Sequence, residues 1–379
     1  MTLFWMITIG VLLAVIQAQV IGRSSLRGIR YSRSFDRREC CAGDEIELVE
    51  VIANEKRLPV PLLKLEAEFP TAFVFRGSPS IKVGKGSVYQ THTSGFALLP
   101  MRRVKRRHFV TCAQRGIFRL STVFMTSGDL LGFVLRSRLL TIESPLIVYP
   151  RLLDEAEVPH DWKSWQGDFA VRRWILADPF VIEGSREYSS GDPMNRIHWK
   201  ASARTGGLQV YRQGYTADPQ VMIVLDIGRV VLGLADNEAE RLAEYAVSLA
   251  ATCADRLLCT GVQTGFAHNA HTVSLPRIPP GAGRAQRAAL MEAMAGIKLK
   301  ERITLEEYLL EEARGGENAR DYIVVSASDP ADARRAVQAL ESRGHRISFI
   351  DPRRGMAGAS FPAESGGSDR RSGETGAST

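Results

Sequence analysis

The 379-residue chain predicts a mixed class: an N-terminal transmembrane helix, a small β-sandwich, and a three-layer α/β domain around a parallel sheet. Three observations carry this reading. Thr2 to Ile21 holds no charged side chain; Ile29 to Pro150 is a series of short runs of alternating hydropathy broken by Gly and Pro; and from Leu208 onward apolar strands alternate with amphipathic helices. An apolar content of 45% against 24% charge is enough to build more than one core.

The uncharged segment, residues 2–21, is long enough at 1.5 Å per residue to span a hydrocarbon layer about 30 Å thick. Six arginines follow it between Gly22 and Arg38. By the positive-inside rule they place the C-terminal side in the cytoplasm, so a single-pass cell-membrane anchor with cytoplasmic soluble domains is expected, membrane lipid being its first partner. A cleaved signal peptide fits less well, since no basic residue precedes the apolar run.

Residues 29–150 form the expected β-sandwich. Glu45 to Val51 and Leu63 to Phe69 alternate with period two, and Gly116 to Leu120 and Leu139 to Ile142 are further strand candidates. Residues 151–207, rich in tryptophan (Trp162, Trp165, Trp174), read as a connecting segment. Residues 208–351 carry the α/β rhythm. Val221 to Leu225 and Tyr322 to Val325 are continuous apolar runs suited to strands buried on both faces, and Val262 to Phe266 and Arg346 to Ile350 add two more. Asn237 to Leu257, Arg284 to Ala295, Thr304 to Ala313 and Pro330 to Arg343 are the helices between them. Residues 352–379 are Gly, Ser, Arg and Glu with almost no apolar side chain, a composition expected to be disordered.

The net charge of +7 is local rather than global. Gly22–Arg38 and the run Arg102-Arg103-Val104-Lys105-Arg106-Arg107 carry +5 each, so the remainder nets −3. That distribution argues against a general nucleic-acid field and leaves anionic-lipid or nucleic-acid binding through Arg102–Arg107 as the alternative function. The five cysteines show no CxxC spacing, and buried, inert thiols are expected.

Ser185 to Tyr211 is the most informative stretch. Asp192 and Pro193 suit a helix start and Gly206-Gly207 its end. Met194, Ile197 and Ala201 would form an apolar stripe, with Arg196, Lys200 and Arg204 stacked at spacing four on another face. Two readings stand. One is an exposed basic face paired with Glu183, Glu187 and Asp192; the other is a docking surface for an acidic partner, anchored by Trp199.

The pattern Arg186-x-Tyr188-x-x-Gly191-Asp192-x-x-x-Arg196-Ile197-x-Trp199-Lys200-x-x-Ala203-Arg204, followed by Leu208-x-Val210, resembles the signature of the domain-of-unknown-function 58 family. Upstream, Arg115 to Leu120, Ser127 to Gly132 and Val148 to Pro150 resemble its β region. Asn195 departs from the basic residue common there. The resemblance implies a bacterial or archaeal membrane protein, with an N-terminal transmembrane hairpin of which this chain shows one span. It also implies a von Willebrand factor type A-like C-terminal domain. The partners implied are a MoxR-type AAA+ ATPase and a transglutaminase-like membrane protein.

Type A domains can hold a divalent cation on an Asp-x-Ser-x-Ser loop, but here the stretch is Asp226-Ile227-Gly228-Arg229-Val230. Gly228 and Val230 offer no ligand oxygen from a side chain, and Asp329 does not restore the shell, so a degenerate metal site is expected. No Gly-x-Ser-x-Gly elbow or Walker spacing is present, Val83 to Ser87 included. His268 and His271 read as a solvated loop pair rather than zinc ligands. The expectation is a non-enzymatic, cofactor-free membrane adaptor whose partner-binding residues are Arg186, Tyr188, Gly191, Asp192, Arg196, Trp199, Lys200 and Arg204.

Overall fold

The structure is a computed structural model that describes residues 1–76, 81–85, 89–129, 134–175, 177–190, 192–215, 220–228, 236–315 and 319–356. The first element is helix α1 (Thr2–Ser24). Among the described residues no helix is long and apolar enough to cross a membrane, which corrects the expected transmembrane anchor at 2–21 and the single-pass cell-membrane placement. The physical reason lies in its last turns. Gln17 donates through Nε2 to Asp129 Oδ2 at 2.7 Å, and Ala18 is buried, so this end of the helix docks on the β region. Removing it leaves Thr2 to Ile16, roughly 22 Å of helix against a hydrocarbon layer of about 30 Å.

Ten strands follow: β1 (Ile29–Phe35), β2 (Glu39–Cys41), β3 (Glu45–Asn54), β4 (Val60–Pro70), β5 (Phe73–Phe75), β6 (Ile81–Lys85), β7 (Tyr89–Leu98), β8 (Arg103–Cys112), β9 (Gly116–Gly128) and β10 (Leu135–Tyr149). They form a four-stranded sheet in the order β1-β3-β8-β5 and a six-stranded sheet in the order β2-β10-β9-β4-β7-β6. Pairing is antiparallel except between β2 and β10. One apolar cluster joins the sheets: Ile46, Leu48 and Ile52 from β3 and Val110 from β8 meet Leu63, Leu65, Val123 and Leu146. The alternation of β3 also turns Glu50 inward, where it accepts from Tyr31 Oη at 2.5 Å and lies 3.2 Å from His108 Nε2. A buried carboxylate is tolerated here because two polar partners replace its water.

The segment expected to be connecting contains a helix, α2 (His160–Ile175). Trp162, Trp165 and Phe169 lie on one face of it, stacked ring on ring at 5.2 and 4.8 Å, and all three are buried. Strand β11 (Ala177–Glu187), helix α3 (Trp199–Thr205) and strand β12 (Gln209–Tyr215) come next. β11 and β12 pair with each other as a two-stranded antiparallel sheet, so the stretch from Leu208 does not enter the large sheet.

The large sheet begins at β13 (Gln220–Leu225) and continues through α4 (Asp236–Cys259), β14 (Gln263–His268), β15 (Ala270–Thr272), β16 (Arg277–Gly281), α5 (Gly283–Ala295), β17 (Ile297–Glu301), α6 (Leu305–Gly315), β18 (Asp321–Val325), α7 (Arg334–Glu341), β19 (Arg346–Ile350) and α8 (Arg353–Met356). Its order is β16-β14-β13-β18-β19. The four strands from β14 to β19 are parallel and β16 is antiparallel to β14, so the sheet is mixed where a parallel one was expected. The chain between β14 and β16, residues 269–276, is too short for the crossover a parallel neighbour needs, so β16 returns antiparallel. Side chains alternate across β13: Val221, Ile223 and Leu225 face a core built with α2, α4 and α5, while Met222 and Val224 face one built with α6 and α7. Both faces are dry, as the unbroken apolar run of β13 requires.

Arg115 ties the sandwich to this domain. Its Nε and Nη2 donate to the carbonyls of Met294 and Ile297 at 3.2 and 3.1 Å, and Nη1 pairs with Glu244 at 2.5 Å. Met294 lies in the last turn of α5, where helical acceptors otherwise lack donors, and Ile297 opens β17. Residues 357–379, most of the expected tail, lie outside the described residues.

Candidate interaction site

The motif folds as a hairpin with a short helix set into its turn. The side chain of Arg186, on β11, reaches Asp192 with both terminal nitrogens, Nη1 to Oδ2 at 2.7 Å and Nη2 to Oδ1 at 2.5 Å. The Ser189 amide adds a third donor to Asp192 at 2.9 Å. Together the guanidinium and that amide hold the carboxyl down to about 2. Asp192 was expected to cap the helix; the guanidinium takes it instead, because a bidentate charged pair outcompetes a single capping bond. Pro193 precedes a 3-10 turn, Met194–Arg196, and the α-helix starts only at Trp199. His198 supplies the cap, its Nδ1 accepting from the Ala201 amide at 3.4 Å.

The expected apolar stripe and the three-cation stripe both fail for the same reason. Arg196 sits in the 3-10 turn, and only Lys200 and Arg204 share α3. Ile197 is buried and bridges Val210, whereas Met194 is 69% exposed. Gly206 ends α3 as expected: its φ of 73° is left-handed, and its amide donates to Ser202 O at 3.0 Å. Tyr188 is held by its amide, which donates to Leu208 O at 2.9 Å. Gly191 lies outside the described residues.

What the hairpin presents to solvent is an aromatic and basic surface. Trp199 is 66% exposed, with Met194, Leu208 and Tyr188 also exposed. Arg196, Lys200 and Arg204 are exposed and form no ion pair among the described residues. Sequence reasoning missed the parts that stiffen this surface. His198 stacks on Tyr211 at 4.2 Å and 21°, its amide donates to Gln209 O at 2.7 Å, and the Ser202 hydroxyl accepts from the Gln209 amide at 2.8 Å. The spacing of His198, Ser202 and Tyr211 gives no periodic signal, because the three meet across a turn and not along one element.

Elsewhere, β8 spreads the Arg102–Arg107 run over two faces. Arg103, Lys105 and Arg107 are exposed, Arg107 beside Glu47 at 3.6 Å, while Arg106 lies over the Phe96 ring at 3.8 Å. His268 and His271 are not a loop pair: His268 is the buried last residue of β14 and His271 is an exposed residue of β15.

Asp226 follows β13 and is buried. Its Oδ1 accepts from the Gly228 amide at 3.0 Å and Asn269 Nδ2 at 2.6 Å, and its Oδ2 from the hydroxyls of Ser326 at 2.6 Å and Ser328 at 2.9 Å. Four donors fill the roughly four lone-pair positions of a carboxylate. Arg229 and Val230 lie outside the described residues, and Asp329 caps the turn at Pro330 through the Ala331 amide. Among the described residues no group of three or more His, Cys, Asp or Glu is arranged to hold a metal ion. A polar cleft of about 970 Å³ opens beside Ser328 and Asp329 and is flanked by the Arg354–Asp161 ion pair.

The geometry defines an α/β domain with a solvent-facing aromatic and basic hairpin, joined to a β-sandwich. Residues 184–355 match the family described as "Protein of unknown function DUF58", so the chain carries a domain of that family. It is 21% identical over 225 residues to the "Uncharacterized protein YeaD" of Bacillus subtilis (strain 168). That stretch is 59% of this chain and 54% of YeaD, so the chain spans about half the length of the curated relative it matches. Solved structures with similarity include a non-cellulosomal cohesin from Archaeoglobus fulgidus (13% identity, 31% of this chain, 91% of that one, TM-score 0.23). An immunoglobulin-like protein from Nocardia farcinica matches at 10% identity, 31% of this chain, 97% of that one and TM-score 0.22. Scores this low carry no argument about fold or function.

Proposed function

We propose that this chain is a non-enzymatic adaptor whose hairpin, Gly184 to Tyr215, docks an acidic surface of a protein partner. The observation that carries this is Trp199, a large aromatic left 66% exposed beside Lys200 and Arg204, which form no ion pair among the described residues. An aromatic ring and a guanidinium are the groups that dominate binding hot spots, and exposure of both on one short helix has no role in a core. The Arg186–Asp192 pair and the His198–Tyr211 stack hold the surface in place before a partner arrives, which lowers the entropy lost on binding. The first partner to test is a MoxR-type AAA+ ATPase, and the second a transglutaminase-like membrane protein, both on the strength of the motif resemblance.

The test immobilises the full chain and measures retention of a purified MoxR-type ATPase. Wild type should retain it, and the double variant Lys200→Glu, Arg204→Glu should weaken retention at least tenfold, more at low salt than at high. Trp199→Ala should do the same with little salt dependence. Equal retention by all three proteins would remove the hairpin as the docking surface.

A further inference from the structure

The alternation of β2 and β8 turns Cys40 and Cys112 into the space between the two sheets, where they are 6% and 0% exposed. β2 belongs to the six-stranded sheet and β8 to the four-stranded one, so the two thiols meet across the sandwich. Their sulfurs are 3.6 Å apart. The backbones are pinned at the same place. The Cys112 amide donates to Asp44 O at 3.0 Å and the Gly43 amide to Cys112 O at 2.7 Å, while the turn itself is closed by the Asp44 amide on Cys41 O at 3.0 Å. With the turn after β2 held on Cys112 and the sulfurs already in contact, a short approach brings them to a bond of about 2.05 Å.

We propose that Cys40 and Cys112 are a redox modification site, a dithiol that a low-molecular-weight disulfide converts to an inter-sheet disulfide. One protein thiol, as thiolate, attacks a sulfur of the reagent and expels one reagent thiolate, which takes up a proton. The second protein thiol then loses its proton and displaces the remaining reagent half. Two S–H bonds and the reagent's S–S bond break; the Cys40–Cys112 bond and two reagent thiols form, so the protein is oxidised by two electrons and the reagent reduced by two.

The closed sandwich resists the first step. The contact with Cys112 and burial both push the Cys40 thiol up, which leaves little thiolate to attack. Access comes from β2 itself, three residues at a sheet edge paired only with β10, a segment that opens without unfolding the rest. Cys41 points to the other side of β2 and is half-buried; it cannot reach Cys112 and is a bystander. Cys259 is exposed and serves as an internal control for plain reagent access.

The experiment equilibrates the full chain with glutathione disulfide, in urea below the unfolding midpoint so that β2 opens, then alkylates in denaturant and maps peptides. Of the five cysteines, Cys40 and Cys112 should be found linked to each other and protected from alkylation. Cys259 should react with the reagent at least tenfold faster than they do. The linked protein should melt several degrees higher, and dithiothreitol should reverse the change. Cys112→Ser should stop at a mixed disulfide on Cys40, and Cys41→Ser should leave the linkage intact. Alkylation of both Cys40 and Cys112 after equilibration would overturn the proposal, as would a linkage through Cys41. A linked form that melts lower would show that the two sulfurs are not poised for the bond. The wild-type peptide map decides the question even if a serine variant does not fold.

Discussion

The central strands and the motif hairpin are held together by opposite means. Val221 to Leu225 and Tyr322 to Val325 are completely buried and owe their place to apolar contact on both faces. The hairpin buries only Ile197 and Val210 among its described side chains and relies on polar ties: Arg186 with Asp192, Ser202 with Gln209, His198 over Tyr211. A region stabilised by its core spends its side chains on that core. One stabilised by a few directed bonds leaves the rest free to face a partner, and its shape survives changes to those side chains.

The sharpest way to break this contrast is Ile223→Ala, which empties space between the sheet and the helices α2, α4 and α5 and should cost about 4 kcal/mol in urea denaturation. No alanine substitution at an exposed hairpin position should approach that. Asp226→Ala should come next, at about 3 kcal/mol, because it leaves two hydroxyls, an amide and a main-chain N–H without an acceptor. Since those donors already occupy the carboxylate, added magnesium or calcium should give no saturable heat in calorimetry and no change in midpoint.

Acid should separate the regions in order. Burial lowers His92, in the sandwich, and His268, at the end of β14, to about 4. An unfolded histidine titrates near 6.5, so the unfolded chain binds more protons below that pH. Stability is therefore fully present above about 6.5 and lost progressively as pH falls toward 4. The Asp192 pair follows a lower window: it is intact above 3.8 and released as pH falls toward 2. Midpoints measured from pH 8 to 4 should decline while the Ser189 amide resonance keeps its position; an earlier shift of that resonance would erase the distinction. The smallest effect is Lys200→Glu with Arg204→Glu. Exposed charges contribute roughly 0–1 kcal/mol each, so the melting midpoint should move by only a few degrees while retention of the partner collapses.

What could be read in the sequence follows the same division. β3 was legible because Ile46, Leu48 and Ile52 alternate with outward residues, and β13 and β18 because unbroken apolar runs, Val221–Leu225 and Tyr322–Val325, have few other uses. α2 was not separated from its surroundings, although Trp162, Trp165 and Phe169 stand at spacings of three and four, because charges between them hide the stripe. In the hairpin, the cations and Trp199 are exposed, but the helix starts six residues later than Asp192-Pro193 suggests. Asp192-Pro193 carries the local signature of a cap, and a side chain six residues upstream, Arg186, overrode it. At the N-terminus the uncharged run suggested a membrane span, while the decisive contact, Gln17 with Asp129, joins residues far apart in the chain and leaves no trace in local composition.

The order of strands in the large sheet also sets a schedule. β13 pairs with β14 some forty residues later, Val221 with Thr264, but its other edge waits for β18, Val221 with Asp321, a hundred residues on. At a synthesis rate of about 5–20 residues per second, that interval is on the order of 5–20 s. Once β14 is made, the nascent chain holds a half-built sheet whose open edge has no neighbour and whose Met222 and Val224 face still lacks α7. Such an edge is where chains stick to one another. The sandwich, whose last strand β10 ends at Tyr149, is complete before that wait begins. The vulnerable moment in the life of this protein is therefore late in its synthesis and belongs to the domain that is driest once finished.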